Sequence, residues 1–503
     1  MVGKVFSCSF SGLDCRTIEV QADISAGLPS FSIVGLGDAS VQESKERVRT
    51  SIKNSGATFP QTRKTINLAP AQLRKQGSIF DLPIATAILL AGDQIPPQNL
   101  TNSIIIGELS LTGKVKRITG ALPITQHAKD KGFRRIFLPK ENALEASFIE
   151  GIEIYPLKTF KELIEYCRGV KELKPFPHSK IHHRKIHKSS LFANIVGLEK
   201  AKRGLLIAAA GGHNAILHGS PGCGKTVICR AFRSLLTDMS KSEILETTKI
   251  FSIAGLLNAE TPIIRERSFR EVHHTATLSS VIGGGSKPKP GEISLAHNGV
   301  LFLDEIAEFP KQILEALRQP LEDKHININR ISASLKFPSN FILLATMNPC
   351  PCGYKGDKKI PCICSESHVK RYQKKISGPL LDRFDIFIEV AKTSMGKIFS
   401  EEEKTHNHYQ DSIHSASEIQ RQRFKNHPKI NKNADMNLKE IKLTCPLTKN
   451  SKLLLNQASK NLNLSNRGYL KTIKIARTIA DLEQSEQIHQ HHIAEAIQFR
   501  SQT

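Results

Sequence analysis

The residues Gly219-Ser220-Pro221-Gly222-Cys223-Gly224-Lys225-Thr226 spell a complete G-x-x-x-x-G-K-T pattern. In such a loop the glycines let backbone N–H groups turn toward phosphate oxygens, and the helix opening behind it adds positive potential. Lys225 then reaches the β- and γ-phosphates of a nucleoside triphosphate, and the Thr226 hydroxyl is placed to ligate Mg2+. A chance glycine loop would lack the flanks seen here. Ala215-Ile216-Leu217 reads as a strand before it, and residues 227–236, VICRAFRSLL, as a helix after it.

Four further elements follow in order. Val300 to Leu303 are all apolar and predict a buried parallel strand, ending on Asp304 and Glu305. Asp304 is where a Mg2+-organising carboxylate belongs, and Glu305 can polarise an attacking water. The bland alternative is a strand end with two solvated acids. The run Phe341–Pro349, FILLATMNP, is another buried strand, with polar Asn348 at its end to hold the water or the γ-phosphate. Arg383, within GPLLDRFD, offers a planar and permanently charged donor fork suited to a phosphoryl transition state. Arg467, within LSNRGYL, opens a helix. Each arginine alone would more simply make a structural salt bridge. It is the order of all five elements that favours phosphate chemistry.

A different chemistry is suggested by Cys350, Cys352, Cys362 and Cys364, in the segment NPCPCGYKGDKKIPCIC. Two C-x-C pairs can supply four thiolates to a tetrahedral Zn2+, although the spacing is tighter than the common C-x-x-C. Reduced structural thiols and a redox sensor are the other readings. A stable disulfide does not suit a reducing compartment.

The elements that must position these residues fall into blocks. Residues 1–170 read as α+β, with strands at Lys64–Ala71 and Ser103–Ile118, a turn at Thr112-Gly113 and a helix over Ala39–Gly56. Leu122–Asn142 reads as a helix, a stop at Gly132, then a strand. Residues 171–190 are basic, His-rich and broken by Pro175 and Pro177, as a solvated linker would be. Residues 191–392 alternate apolar runs with helices, the pattern of an α/β domain. Residues 393–503 read as helical, with Glu401–Lys432 a polar helical or loop insertion.

The chain has 503 residues and a formal net charge of +24, from 71 Lys and Arg against 47 Asp and Glu. Such a field attracts polyanions, with nucleic acid the leading partner and a basic surface without ligand the alternative. No apolar run approaches the ~20 residues of a membrane span. No signal peptide is evident in MVGKVFSCSF. The expectation is a cytoplasmic location without membrane contact.

The set GSPGCGKT, GEISLAHNGVLFLDEI, MNPCPCG, LLDRFD and LSNRGYLKTIKIARTIADLE resembles the magnesium-chelatase-like AAA+ ATPases of the ComM/YifB type, over nearly the whole chain. The resemblance implies an ATP- and Mg2+-dependent core over 191–392 with a helical lid over 393–503. It implies Asn348 as the sensor-1 residue, Arg383 as a finger acting on ATP in the neighbouring subunit, and Arg467 as the lid's sensor-2 arginine. Such split sites imply a ring, a homohexamer. The implied activity is a bacterial helicase that drives branch migration as transforming DNA is integrated. Its implied partners are single-stranded or branched DNA and recombination proteins. The alternative is a motor like magnesium chelatase itself, remodelling a protein partner for metal insertion.

The same resemblance implies hairpins lining a central pore. Val281–Glu292 and Asp323–Phe337 match, and Lys287, Lys289, Lys324 and Arg330 are the candidate phosphate contacts. Solvated surface charge is the other reading of each. No aromatic residue interleaves them, so backbone tracking is favoured over base readout.

Through GELSLTGKVKRITGAL and RRIFLPKEN, residues 1–170 resemble the Lon protease C-terminal fold. Lon-type proteolysis needs a nucleophilic Ser and a Lys base. Ile79 and Leu122 stand where these would fall, with Ser78 and Lys75 only nearby. The expectation is a scaffold without the dyad, serving ring assembly or DNA access.

Overall fold

The computed structural model describes residues 2–73, 75, 77–181, 191–285, 289–330, 333–357, 359–391, 408–427 and 430–500. Within them the chain folds as two units. One comprises Met1–His183, Lys241–Ile264 and Asn327–Phe337, and the other Arg184–Ser240, Arg265–Ile326 and Pro338–Thr503. Reading the chain in consecutive blocks does not anticipate the two excursions into the first unit.

The first unit is built on a seven-stranded mixed sheet. Its order is Ser30–Val34, Arg63–Ala69, Asp14–Ser25, Gly3–Ser11, Ser103–Ile105, Arg135–Pro139 and Glu153–Leu157. The last four strands run parallel, and the long pair Gly3–Ser11 and Asp14–Ser25 is antiparallel. The helix Asp81–Ala91, DLPIATAILLA, is apolar all round and buried along its whole length. Its one acid, Asp81, is held by Ser44 and by Arg47 at 2.6 Å, as a buried carboxylate must be. The helix Ala39–Asn54 is capped by Asp38 and ends before Gly56. Thr112-Gly113 lies between Glu108–Leu109 and Val115–Lys116, which pair antiparallel. Of the basic linker, residues 182–190 lie outside the described residues. Its earlier part is not merely solvated: Phe176 and Ser179 donate backbone N–H groups to Ile154 and Ser147.

The excursion Lys241–Ile264 opens on the helix Lys241–Ala254, whose Ser252 bonds the buried carboxylate of Glu145. In the excursion Asn327–Phe337, Leu335 and Phe337 are buried. A Cβ added at Gly12 would lie 3.5 Å from that of Leu335. The strand alternation expected over Asp323–Phe337 is present, as His325–Arg330 paired with Ala333–Pro338.

The second unit holds a five-stranded sheet in the order Phe269–Val272, Val300–Leu303, Ile342–Met347, Ala215–His218, Ile386–Glu389. All four pairings are parallel. Strands buried on both faces need continuous apolar runs, and VLFL (Val300–Leu303) is fully buried. Helices from the C-terminal part, including Leu438–Thr444, Asn466–Leu482 and Gln490–Gln498, share one core with this sheet. Leu217, Phe302, Ile388, Ile475, Ile479 and Ile493 belong to it. The insertion read over Glu401–Lys432 is helical at His408–Arg423; residues 393–407 lie outside the described residues. Among the described residues no helix is long and apolar enough to cross a membrane.

Candidate functional site

In a parallel sheet, ligands gather beyond the carboxyl ends of the strands, where the chain order reverses. Three adjacent strands here end on the residues singled out by chemistry. Val300–Leu303 runs into Asp304 and Glu305, Ile342–Met347 into Asn348, and Ala215–His218 into the loop at Gly219. The register pairs Leu303 with Ala345 and His218 with Met347. The next residues therefore stand side by side at one sheet edge.

The loop closes as the sequence predicts. Gly224 has φ +88, a conformation that L side chains resist, and it opens the helix Lys225–Ala231. Lys225 is buried. Its Nζ donates to the carbonyls of Gly219 at 2.6 Å and Ser220 at 2.9 Å, and to Oδ1 of Asn348 at 3.2 Å. The Thr226 hydroxyl lies 3.1 and 3.0 Å from the two carboxylate oxygens of Asp304. Asn348 in turn donates from Nδ2 to Oε1 of Glu305 at 3.3 Å. Lys225, Thr226, Asp304, Glu305 and Asn348 thus form one bonded cluster.

Thr346 belongs to the same cluster and escaped the sequence reading. Its hydroxyl donates to Oδ1 of Asp304 at 2.5 Å and accepts the backbone N–H of Glu305 at 2.9 Å. The signal was a lone hydroxyl inside an apolar strand, two residues before Asn348 and so on the same face. Glu305 itself sits at φ +53, ψ +54, left-handed backbone that costs a non-glycine residue about 1–2 kcal/mol. That turn, held by Thr346, aims the Glu305 side chain at Asn348.

The two arginines converge elsewhere. Arg383 Nη2 lies 2.5 Å from Oε2 of Glu322, and Arg467 Nη2 lies 2.8 Å from Oε1 of the same carboxylate. Arg383 also donates to the carbonyls of Arg318 and Pro379. Nearby, Lys471 Nζ reaches the carbonyls of Asp382 and Phe384 and pairs with Asp385 at 2.9 Å. The start of the helix Asn466–Leu482 is thereby fixed to the Arg383 segment.

The four cysteines come together. The sulfur of Cys350 lies 3.4 Å from that of Cys352 and 3.6 Å from that of Cys362, and Cys352 and Cys362 are 3.6 Å apart. All four sulfurs fall within 4.8 Å of one another, a set able to hold a metal ion. None is in a disulfide. The Cys352 thiol is lowered to about 6, chiefly by the Tyr354 backbone N–H.

Three family models match the chain. Magnesium chelatase, subunit ChlI, matches residues 191–398; subunit ChlI of Mg-chelatase matches 20–142; and the ChlI C-terminal model matches 403–500. The Competence protein ComM of Haemophilus influenzae is 38% identical over 99% of this chain and 97% of its own length. The chain belongs to the ComM/YifB-type magnesium-chelatase-like family. YifB of Escherichia coli is 39% identical over 97% of this chain and 95% of its own length. Lon protease 2 of Bacillus subtilis is 32% identical over 35% of this chain and 33% of its own length. Membership of this family points to ATPase activity with ATP and Mg2+.

The remaining candidates of this family member separate. Lys289 is exposed on the short strand Lys289–Pro290, which pairs antiparallel with Gly283–Gly284. Lys324 pairs with Asp435 at 3.2 Å, so its charge is already engaged in the fold. Arg330 ends the strand His325–Arg330. Lys287 lies outside the described residues. In the first unit, Ile79 and Leu122 are buried. The Ser78 hydroxyl bonds the Glu108 carboxylate, and Lys75 Nζ bonds the Pro70 carbonyl. A cleft of about 930 Å3 in that unit is lined by Lys114, Lys116, Arg117, Lys140 and Lys158 among others. It shares no residue with the phosphate loop.

Proposed function

We propose that this chain is an ATP hydrolase whose turnover drives a ring of six copies along DNA. It acts as a branch-migration helicase that aids integration of transforming DNA in the cytoplasm. The observation that carries the reading is the bonded cluster of Lys225, Thr226, Asp304, Glu305 and Asn348, in a chain related end to end to a competence protein. The net charge of +24 supports a polyanionic partner. In domain terms the reading is a Lon-like scaffold over 1–170, a linker over 171–190, an AAA+ core over 191–392 and a helical lid over 393–503.

The residues present fit Mg2+, because Thr226 and Asp304 offer hard oxygen donors side by side. When bound, the ion neutralises charge on the phosphate oxygens. The loop Gly219–Thr226 cradles the phosphates, and Lys225 exchanges its carbonyl partners for β- and γ-oxygens. Glu305 accepts the proton of the attacking water as the new bond to the γ-phosphorus forms and the β–γ bridge breaks, releasing ADP and phosphate. Asn348 positions the water or the γ-phosphate. Arg383 reaches the transition state in the adjoining subunit, and Arg467 reports nucleotide from the lid. Both would exchange Glu322 for phosphate oxygens. The thiol cluster Cys350, Cys352, Cys362 and Cys364 holds a structural Zn2+. Lys287, Lys289 and Arg330 supply phosphate contacts to DNA, and Lys324 would join them by exchanging Asp435 for a phosphate oxygen.

The naming of all three matching models after magnesium chelatase favours a second reading, an ATPase that remodels a protein partner for metal insertion. The two are separated by ATP hydrolysis measured with and without forked DNA. The DNA motor predicts stimulation that fades as salt rises. An unchanged rate without salt-dependent DNA binding would favour the partner-remodelling ATPase.

A further inference from the structure

The thiol cluster lies against the phosphate loop, and nothing in its spacing alone announces this. Cys350 stands two residues beyond Asn348 and is buried. From it the chain turns sharply: the N–H of Gly353 donates to the Cys350 carbonyl at 2.9 Å, and that of Lys355 to the Cys350 sulfur at 3.4 Å. Gly353 takes φ +84, and a Cβ built there would fall 2.5 and 2.6 Å from Cγ and Cδ of Pro221. The turn therefore presses its backbone on the ring of Pro221, at a distance only glycine allows. Pro221 is the third residue of the loop Gly219–Thr226. One short segment thus touches the loop through Gly353 and carries Asn348, a partner of Lys225 and Glu305, at its other end.

We propose that the metal-loaded cysteine cluster is a clamp that fixes the phosphate loop and Asn348, so that metal occupancy sets nucleotide affinity. The inference rests on the zinc reading given above. Tetrahedral Zn–S bonds of about 2.3 Å give sulfur–sulfur edges of about 3.8 Å. The observed separations of 3.4 and 3.6 Å are close to this. They are far from the ~2.05 Å of a disulfide. Zn2+ displaces the thiol protons and ties the four sulfurs to one centre. Without it the two C-x-C arms part, and the turn bearing Gly353 is no longer held on Pro221. The loop then gains conformations that a bound phosphate must freeze out, and affinity falls. Iron is the other ion a tetrathiolate site takes, and its colour distinguishes it.

The test combines metal content with nucleotide binding. Elemental analysis of the full chain should find about one zinc per chain. The dissociation constant of a fluorescent ATP analogue with Mg2+ should rise about tenfold in three samples. These are chelator-stripped protein, the double variant Cys362→Ser/Cys364→Ser, and Gly353→Ala. Gly353→Ala should keep its zinc, and hydrogen exchange of residues 219–226 should quicken in it. If the double variant fails to fold, stripped wild type and Gly353→Ala still decide. Zinc and iron together well below one per chain overturn the metal reading and the clamp with it. About one zinc per chain in the protein as purified, with affinity within about twofold of wild type in both the stripped protein and Gly353→Ala, overturns the clamp alone.

Discussion

Asn348 holds Glu305 by a hydrogen bond of 3.3 Å from its Nδ2 to Oε1. Through Oδ1 the same amide accepts from Lys225 at 3.2 Å. One side chain therefore links the candidate base to the loop lysine. It can pass the arrival of a γ-phosphate from one to the other.

This linkage separates binding from turnover. Glu305→Gln keeps the side chain's shape and its bond to Asn348 but removes the proton acceptor. It should retain ATP while hydrolysis falls about 10²–10⁴-fold. Lys225→Ala should lose nucleotide binding itself. Phosphate release and equilibrium nucleotide binding, measured on both variants, check the assignment. Normal hydrolysis by Glu305→Gln would remove Glu305 from its role.

Glu322 gathers both arginines, at 2.5 Å and 2.8 Å. If Arg383 acts on a neighbour's nucleotide, Arg383→Ala subunits should poison mixed rings. Activity of mixtures should then fall more steeply than the wild-type fraction. A linear fall would mean that each subunit hydrolyses alone.

Asp481 is buried and accepts from Arg423 at 2.5 and 2.7 Å, from Asn433 at 2.7 Å and from Arg477 at 3.0 Å. Removing it leaves two guanidinium groups without their shared counter-ion. Asp481→Ala should destabilise the second unit by about 3–5 kcal/mol, read from urea unfolding. A change under about 1 kcal/mol would show that water or neighbours replace it.

Asp385 yields a pH dependence. Burial works against its charge, but Lys471 at 2.9 Å and His213 at 3.8 Å outweigh it and hold the carboxyl well below the usual range. A group depressed in the folded state stabilises above its unfolded value of about 3.9 and loses that contribution as pH falls further. Stability should be level in this respect from pH 7 to about 5 and drop below about pH 4. Asp385→Asn should flatten that acid limb in urea unfolding. An unchanged limb would contradict the assignment.

Much of the site was legible because its signals are local. The glycine loop needs Gly224 at positive φ, and VLFL before Asp304 must be a doubly buried strand. Parallel register then does the rest. Glu322 was not legible, since one acid in RQPLED carries no mark of the arginines that reach it from residues 383 and 467. Nor was the meeting of Gly353 with Pro221, which depends on how a cysteine loop folds back. The excursions 241–264 and 327–337 escaped for a similar reason: their partners lie in the N-terminal sheet and helices, far away in sequence.

The central claim is that ATP turnover at this cluster moves DNA. A labelled four-way DNA junction, incubated with the protein and Mg-ATP at moderate salt, tests it most directly. The account predicts conversion of the junction to duplex products with ATP, none with a non-hydrolysable analogue, and none with Glu305→Gln. Vigorous ATP hydrolysis that leaves the junction intact would contradict it.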